Sequence, residues 1–300
     1  MASGLLQALL PYLGFGVFAV PVLIYGAVKY ANGPTPEVRR EGLDLMLDVL
    51  VGAVMFGVFT ALINSNFFPQ SVYTIASSVS VNVNGTATTL AAGSHMPNTN
   101  NAMQLLGWSA NVSQHWFNKM TQWYGNFWGV TIGLSIVPVT STFGWYLQQS
   151  TWYIQTMITY TITNLGFIYV LSLIAEYAWG FLSLAVGMLL IRQTRVIGTF
   201  IIALALIALF VAPLLAAYTS IVMSHVYQQL NFLPNTNGAL STFGNIIDIL
   251  TGVLWSQGFP AGLALQTYDV TVDVVLAFAL AASYGLYRVL DETIVDVLPI

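Results

Sequence analysis

The side chains best suited to chemistry in this sequence are uncharged, and they concentrate in one apolar stretch. Between residues 140 and 164, hydroxyl and amide groups recur. Four of them share roughly one face of a helix: Gln148, Gln155, Thr159 and Thr163. Hydrocarbon does not solvate such groups, so they either hydrogen-bond to neighbouring helices or line an aqueous path. We predict that they border a polar path.

Two carboxylates are weaker members of that predicted path. Glu176 lies within an apolar stretch, where an unpaired charge is costly and therefore points to function. Asp248 lies on the polar stripe of an amphipathic pattern over residues 240–256. Each is either an ordinary interfacial acid or part of the path. Two isolated carboxylates do not form the relay that an ion-coupled pump needs.

The usual signatures of enzymes are missing from the sequence. It contains no phosphate-binding loop, nucleophile elbow, zinc-protease pair or dinucleotide fingerprint. Cys is absent and the three His are scattered, which leaves no thiol nucleophile and no His or Cys cluster for a metal. We therefore expect no enzymatic activity, no catalytic residue, no cofactor and no metal site.

The elements that must position these side chains are membrane helices. Of the 300 residues, 57% are hydrophobic and 6% are charged, whereas a soluble domain has roughly 25% charged residues. Seven Lys and Arg residues are too few for a basic nucleic-acid-binding surface. The composition predicts an all-α polytopic protein that passes several times through the cell membrane.

Apolar runs predict about seven transmembrane helices, with five spans plus re-entrant segments as the alternative. Residues 1–63 contain the first two spans, which a cytoplasmic loop at residues 29–42 joins. Residues 126–220 contain the central spans. Residues 221–300 contain an external loop, the amphipathic helix at residues 240–256, the last span and an acidic cytoplasmic tail.

The apolar stretch before Arg192, whose only charged residue after Met120 is Glu176, fits three short spans that break near Gln148 and Leu171. Their expected ranges are about residues 127–147, 152–170 and 173–191. One long kinked helix with a re-entrant piece also fits this run. The last span is expected from about Val270 to Tyr287.

Small residues recur every four positions on two of the predicted helices. They are Ala53, Gly57 and Ala61 on the second helix, and Ala277, Ala281 and Gly285 on the last. Such spacing places small side chains on one face and predicts close helix packing.

Basic residues set the predicted orientation. In the predicted topology, six of the seven basic residues lie on the same side of the membrane. They are therefore expected in the cytoplasm, with the N-terminus outside. These six are Lys29, Arg39, Arg40, Arg192, Arg195 and Arg288. Arg192 and Arg195 mark a cytoplasmic turn between two central helices.

The external region at residues 64–125 is polar, yet its only Lys, Arg, Asp or Glu is Lys119. A β-hairpin is expected near residues 78–90, because apolar and polar residues alternate before Asn84–Gly85, a pair that fits a type I′ turn. Asn84 and Asn111 also begin N-glycosylation sequons, and both are possible modification sites.

The segment from Leu184 to Pro213 contains a recognisable hairpin pattern. One helix ends in Arg192, a short turn holds Arg195, Gly198 opens the return helix and Pro213 closes it. This pattern resembles a helix hairpin of archaeal CedA-type proteins, the polytopic membrane component of a DNA-import system. Those proteins are themselves similar to the TrbL-type channel component of conjugative type IV secretion systems.

The resemblance implies an integral membrane channel component that moves DNA across the archaeal cell membrane. It also implies an oligomer in the lipid bilayer that works with small one- or two-span membrane subunits and a cytoplasmic hexameric ATPase. Two alternatives stay open at this point: a small-solute transporter or channel, and a structural membrane scaffold of a pilus-type assembly.

Overall fold

The computed structural model describes residues 2–83, 85–136, 138, 141–191, 193–230 and 258–297. These residues form ten helices and one two-stranded sheet, which confirms the all-α prediction. The predicted helix at residues 240–256 lies outside the described residues, as do three of the singled-out side chains: Asn84, Arg192 and Asp248.

The elements follow one another with short connections. They are α1 (Ala2–Asn32), α2 (Pro36–Asn64), α3 (Phe67–Ser78), β1 (Ser80–Val83), β2 (Thr86–Thr89), α4 (Leu90–Gly93), α5 (Ala102–Ile136), α6 (Ser141–Ser150), α7 (Trp152–Glu176), α8 (Ala178–Leu189), α9 (Arg195–Gln229) and α10 (Phe259–Val297). Local sequence explains the start of α2. Thr35 caps it by accepting a hydrogen bond from the Val38 amide at 3.4 Å, and Pro36 occupies the first helical position.

Among the described residues, five helices are long and apolar enough to cross a membrane. The five candidate spans are Tyr12–Asn32, Pro36–Asn64, Trp152–Glu176, Arg195–Gln229 and Phe259–Glu292. Helix α8 is apolar but has only 12 residues. Helix α5 is 35 residues long but is not among the five, because polar side chains interrupt its sequence. The chain is therefore a multi-pass membrane protein by helix length and composition.

The central helices break at different places from those expected. The predicted break near Leu171 lies inside α7, and the backbone leaves the helix at Tyr177 instead. The predicted span at residues 127–147 is divided, because α5 ends at Ile136 before a turn at Pro138. An apolar run without Pro contains no local signal for a helix end, so the sequence could not locate the break at Tyr177.

Side-chain contacts give the relative directions of α7, α9 and α10. Tyr153 contacts Gln266, and Tyr160 contacts Asp273 seven residues further along each helix, so α7 and α10 run parallel. Helix α9 runs opposite to α10. Its residues Thr219 and Phe200 contact Tyr268 and Tyr287, respectively, on α10.

These directions gather five basic residues at one end of the molecule. Helix α1 runs parallel to α8, since Gly14 lies against Ser183 and Phe18 lies against Gly187. The C-terminal ends of α1, α8 and α10 and the N-terminal ends of α2 and α9 consequently lie at the same end. That end carries Lys29, Arg39, Arg40, Arg195 and Arg288.

Helix α9 is the centre of the fold. In its most apolar 18-residue window, 56% of the residues are buried, compared with 11% for α10. One core cluster packs the first part of α9 against α8, α3 and the start of α5. A second cluster packs the last part of α9 against α7, the rest of α5 and the start of α10.

Glycines allow the closest helix contacts. A Cβ at Gly42 would lie 2.6 Å from the carbonyl oxygen of Gly26, so only glycine permits α1 and α2 to approach this closely. The spaced small residues predicted to pack are instead exposed, at Ala53, Gly57 and Ala61 on α2 and at Ala277, Ala281 and Gly285 on α10. The structure therefore shows no such packing for these residues within the described part of the chain, and close packing against another molecule stays a prediction.

The structure confirms the predicted hairpin as a two-stranded antiparallel sheet. Val83 pairs with Thr86, which leaves a two-residue connection, and Gly85 has a φ of +78°. Glycine adopts this left-handed conformation without steric cost. Strand β1 lies against the C-terminal half of α9, so the hairpin packs on the helices rather than standing alone.

Candidate functional site

The densest set of polar contacts between helices lies along the seam where α7 meets α10. At the exposed edge of this α7–α10 seam, the Tyr153 hydroxyl donates to Gln266 Oε1 at 2.9 Å. Seven residues further along each helix, the Tyr160 hydroxyl donates to Asp273 Oδ2 at 2.8 Å. These pairs put an amide and a carboxylate at the surface of two candidate membrane spans.

Asp269 lies inside the seam and is only 2% exposed. Its Oδ2 accepts a hydrogen bond from Thr161 Oγ1 at 2.8 Å, and its Oδ1 accepts one from Asn164 Nδ2 at 3.2 Å. Thr161 Oγ1 also lies 2.9 Å from the carbonyl oxygen of Met157. A hydroxyl has one proton, so these two acceptors compete for it.

The polar contacts continue from the seam to the central helix. Tyr268, next to Asp269, is fully buried, and its hydroxyl lies 2.9 Å from Thr219 Oγ1 on α9. Its ring stacks on Tyr218 with centroids 5.6 Å apart. Residues of α10 therefore bond to α7 on one side and to α9 on the other, which fixes the three helices relative to one another.

This arrangement holds helices together and presents polar groups at their boundary. Both Asp269 oxygens accept hydrogen bonds from neutral donors, which is how a buried carboxylate is stabilised without a cation. Within the described ranges, no group of three or more His, Asp or Glu residues is arranged to hold a metal ion.

A cavity of about 260 Å³ lies beside the seam, between β1 and the adjoining ends of α9 and α10. Its polar lining includes Asn82, His225, Gln229 and Thr267. His225 Nε2 lies 3.0 Å from Gln229 Nε2. The small-solute alternative would place its ligand in this cavity.

The structure divides the predicted path residues between two environments. Gln155 is buried, and its amide donates to Thr151 Oγ1 at 2.7 Å within the same helix. Gln148, Thr159 and Thr163 are exposed. The two threonine hydroxyls donate to carbonyl oxygens four residues earlier, at 2.9 and 3.1 Å. Thr159 and Thr163 share a face of α7, whereas Gln148 lies on α6.

The other singled-out residues lie apart from this face. Glu176 is half-buried at the last position of α7. Arg195 is 6% exposed at the start of α9, with its Nε 3.4 Å from the carbonyl oxygen of Leu189. Asn111 is exposed on α5, but Ser113 of its sequon is buried with its Oγ 3.2 Å from Ser172 Oγ.

Sequence reasoning missed Asp269 and Asp273. A signal was present, because Gln266, Asp269 and Asp273 are spaced by three and four residues and so share a helix face. Because the predicted last span begins near Val270, the prediction places Gln266 and Asp269 in a loop. Their partners on α7 lie more than 100 residues away in sequence, so only the folded chain shows the pairing.

Comparison of the chain with protein-family models, with curated proteins and with solved structures gives no match in any of the three. The proposed function therefore depends on the residues, their geometry and the resemblance of the α8–α9 hairpin.

Proposed function

We propose that this chain is a membrane subunit of a conduit that imports DNA across the cell membrane. It acts as an oligomer with small one- or two-span membrane subunits, and a cytoplasmic hexameric ATPase supplies the energy. The resemblance of the α8–α9 hairpin to CedA-type proteins supports the proposal that DNA is the substrate and that these subunits and this ATPase are the partners. The multi-pass fold is consistent with it.

In this proposal the basic end faces the cytoplasm, as the positive-inside rule favours for Lys29, Arg39, Arg195 and Arg288. The N-terminus and the β-hairpin then face outside. We favour five crossings over seven, with α7 and α8 forming one crossing, because α1, α2, α9 and α10 supply the other four candidate spans. Thiol labelling of single Cys residues placed at Ser78 and Gln193 tests this, since only Ser78→Cys should react with an impermeant reagent on intact cells.

The Tyr160–Asp273 pair at the exposed edge of the seam is the observation that carries the proposal. A carboxylate facing hydrocarbon is costly even with one hydrogen bond, so this edge needs water or a partner subunit beside it. The outer face of α7 carries Thr159 and Thr163, and Gln148 lies on α6 just before it. These uncharged side chains form the border of a polar path. Gln155 supports that border from behind.

Uncharged walls suit the passage of a polyanion. Each Lys or Arg that contacts a phosphate adds affinity through counterion release, and a tightly bound strand moves slowly. Hydroxyl and amide groups keep the path hydrated without this grip. A dry wall would instead exclude a hydrated polyanion.

Import of marker DNA by cells tests the proposal. Cells that lack the gene should lose import, and the unmodified gene should restore it. Thr163→Leu should lower import by drying the wall. Thr74→Leu is the matched control, because Thr74 is exposed on α3 and its hydroxyl likewise bonds to its own helix, at 2.8 Å from the Gln70 carbonyl oxygen. Normal import without the gene would reject the function.

Purification distinguishes the alternatives. Small membrane subunits that copurify with the chain support the conduit. A lone monomer that binds a small solute in the cavity beside His225 and Gln229 supports the transporter instead. Copurification with pilus subunits, together with normal DNA import in gene-deleted cells, supports the scaffold.

A further inference from the structure

Helix α5 carries five side-chain amides on one exposed face. They are Asn111, Gln114, Asn118, Gln122 and Asn126, spaced by three, four, four and four residues. We name these five residues the amide ladder. None of the five side chains forms a hydrogen bond within the described part of the chain. Unlike the hydroxyls of α7, they therefore leave both their donors and their acceptors open.

The sequence on either side of the amide ladder contains no acidic residue. Residues 64–175 include no Asp or Glu, although the whole chain has 11. A polyanion that runs along this face therefore meets no carboxylate of residues 64–175.

The ladder is also nearly free of positive charge. Lys119 is the only Lys or Arg in residues 64–175, and its Nζ lies 5.1 Å from the Trp116 ring centre and 4.8 Å from that of Tyr227. The two rings hold this ammonium group between them. Burial, and secondarily the nearby Lys119, lower the pKa of His115, which favours the neutral form of its imidazole.

The carboxylates of the seam lie on the other flank of α7. Helix α5 contacts α7 through Ser172 and Tyr169, whereas Asp269 and Asp273 contact α7 through other residues on its α10 side. Asp269 and Asp273 therefore lie on the α10 flank of α7, and Glu176 lies at its C-terminal end, one turn beyond Ser172.

Resting on the proposed function, we propose that the amide ladder is the surface along which the imported nucleic acid strand runs. Side-chain amides donate to phosphate oxygens and both donate to and accept from base edges, so they can hydrogen-bond to any sequence in any register. Because the five ladder side chains carry no positive charge, they do not hold the strand by counterion release. Its lack of acids avoids repulsion of the phosphates.

Isosteric carboxylates provide the sharpest test. Asn118→Asp combined with Gln122→Glu adds two negative charges at exposed positions with almost no change in volume. In water, the repulsion between two unit charges about 4 Å apart corresponds to about a fivefold change in a rate or binding constant. The two added charges together should therefore lower DNA import by about 25-fold. The control combines Asn66→Asp with Gln70→Glu, two exposed residues at the same spacing at the start of α3, of which Asn66 is the N-cap, and should change import less than twofold.

A second measurement does not depend on the stability of that variant. The chain has no Cys, so Asn118→Cys can carry a single azidophenacyl group that crosslinks to DNA on illumination during import. Crosslinking at residue 118 with none at Gln70→Cys supports the ladder, and equal crosslinking at both sites overturns it. Normal import by the double carboxylate variant, where gene-deleted cells import nothing, also overturns the ladder but leaves the proposed function intact. Import by gene-deleted cells rejects both.

Discussion

The two sides of α7 use the same kinds of side chain in different ways. On the side that packs against α10, Thr161 and Asn164 donate to the carboxylate of another helix. On the outer side, Thr159 and Thr163 donate to carbonyl oxygens of their own helix. Polar residues on the first side therefore hold the fold together, whereas those on the second are available for function. The following predictions test this division, from the largest effect to the smallest.

Asn164→Leu should have the largest effect on stability. It removes a hydrogen bond to a buried carboxylate and leaves Asp269 Oδ1 without its donor, which costs about 2 to 3 kcal/mol in the free energy of unfolding. Thermal unfolding of the purified protein in detergent measures the change. An unchanged melting temperature would show that the seam does not hold α7 to α10.

Asp269→Asn should be far milder than Asn164→Leu, despite removing the carboxylate itself. The new amide oxygen can still accept from Asn164, and its NH₂ can donate to Thr161 Oγ1. The Thr161 hydroxyl then donates only to the Met157 carbonyl, which ends the competition for its proton. We expect a change within about 1 kcal/mol in the same unfolding measurement. A loss as large as that of Asn164→Leu would contradict this account.

Gln155→Leu should lower stability by about 1 kcal/mol, because it removes the hydrogen bond to Thr151 Oγ1 at 2.7 Å and the longer one to the Gln148 carbonyl oxygen at 3.4 Å. Import per molecule of protein should then stay normal, as measured by marker uptake against membrane protein level. If import instead fails while stability holds, Gln155 belongs to the path itself.

Thr159→Val should have the smallest effect on stability, within about 0.5 kcal/mol, because the hydroxyl is exposed and bonds only to its own helix. DNA import by the Thr159→Val variant should fall even though its melting temperature stays close to that of the unmodified protein. A destabilisation comparable to that of Asn164→Leu would remove the distinction between the two sides.

These contrasts also mark what the sequence can and cannot predict. Composition predicts the membrane helices, and the alternation before Asn84–Gly85 predicts the hairpin, because both signals are local. Periodicity places Gln155 and Thr159 on one broad face, but it cannot tell which of them is buried. That depends on where α5 and α10 pack, and those contacts join residues far apart in the chain.

The helix break at Tyr177 and the pairing of Asp269 have a similar explanation. Nothing in the residues around Tyr177 disfavours a helix strongly, so the break reflects how α8 packs against α1 and α9. Asp269 lies where a hydropathy profile first rises, and a profile cannot show that Thr161 and Asn164 supply its donors.

The glycine contact between α1 and α2 has a consequence for how the chain is made. Gly26 and Gly42 bring these two backbones together within the first 64 residues. Because that contact needs no later part of the chain, the pair can leave the ribosome and enter the bilayer as one hairpin. It would then be in place before α8 and α9 are synthesised, and α8 would assemble against a surface that is already formed.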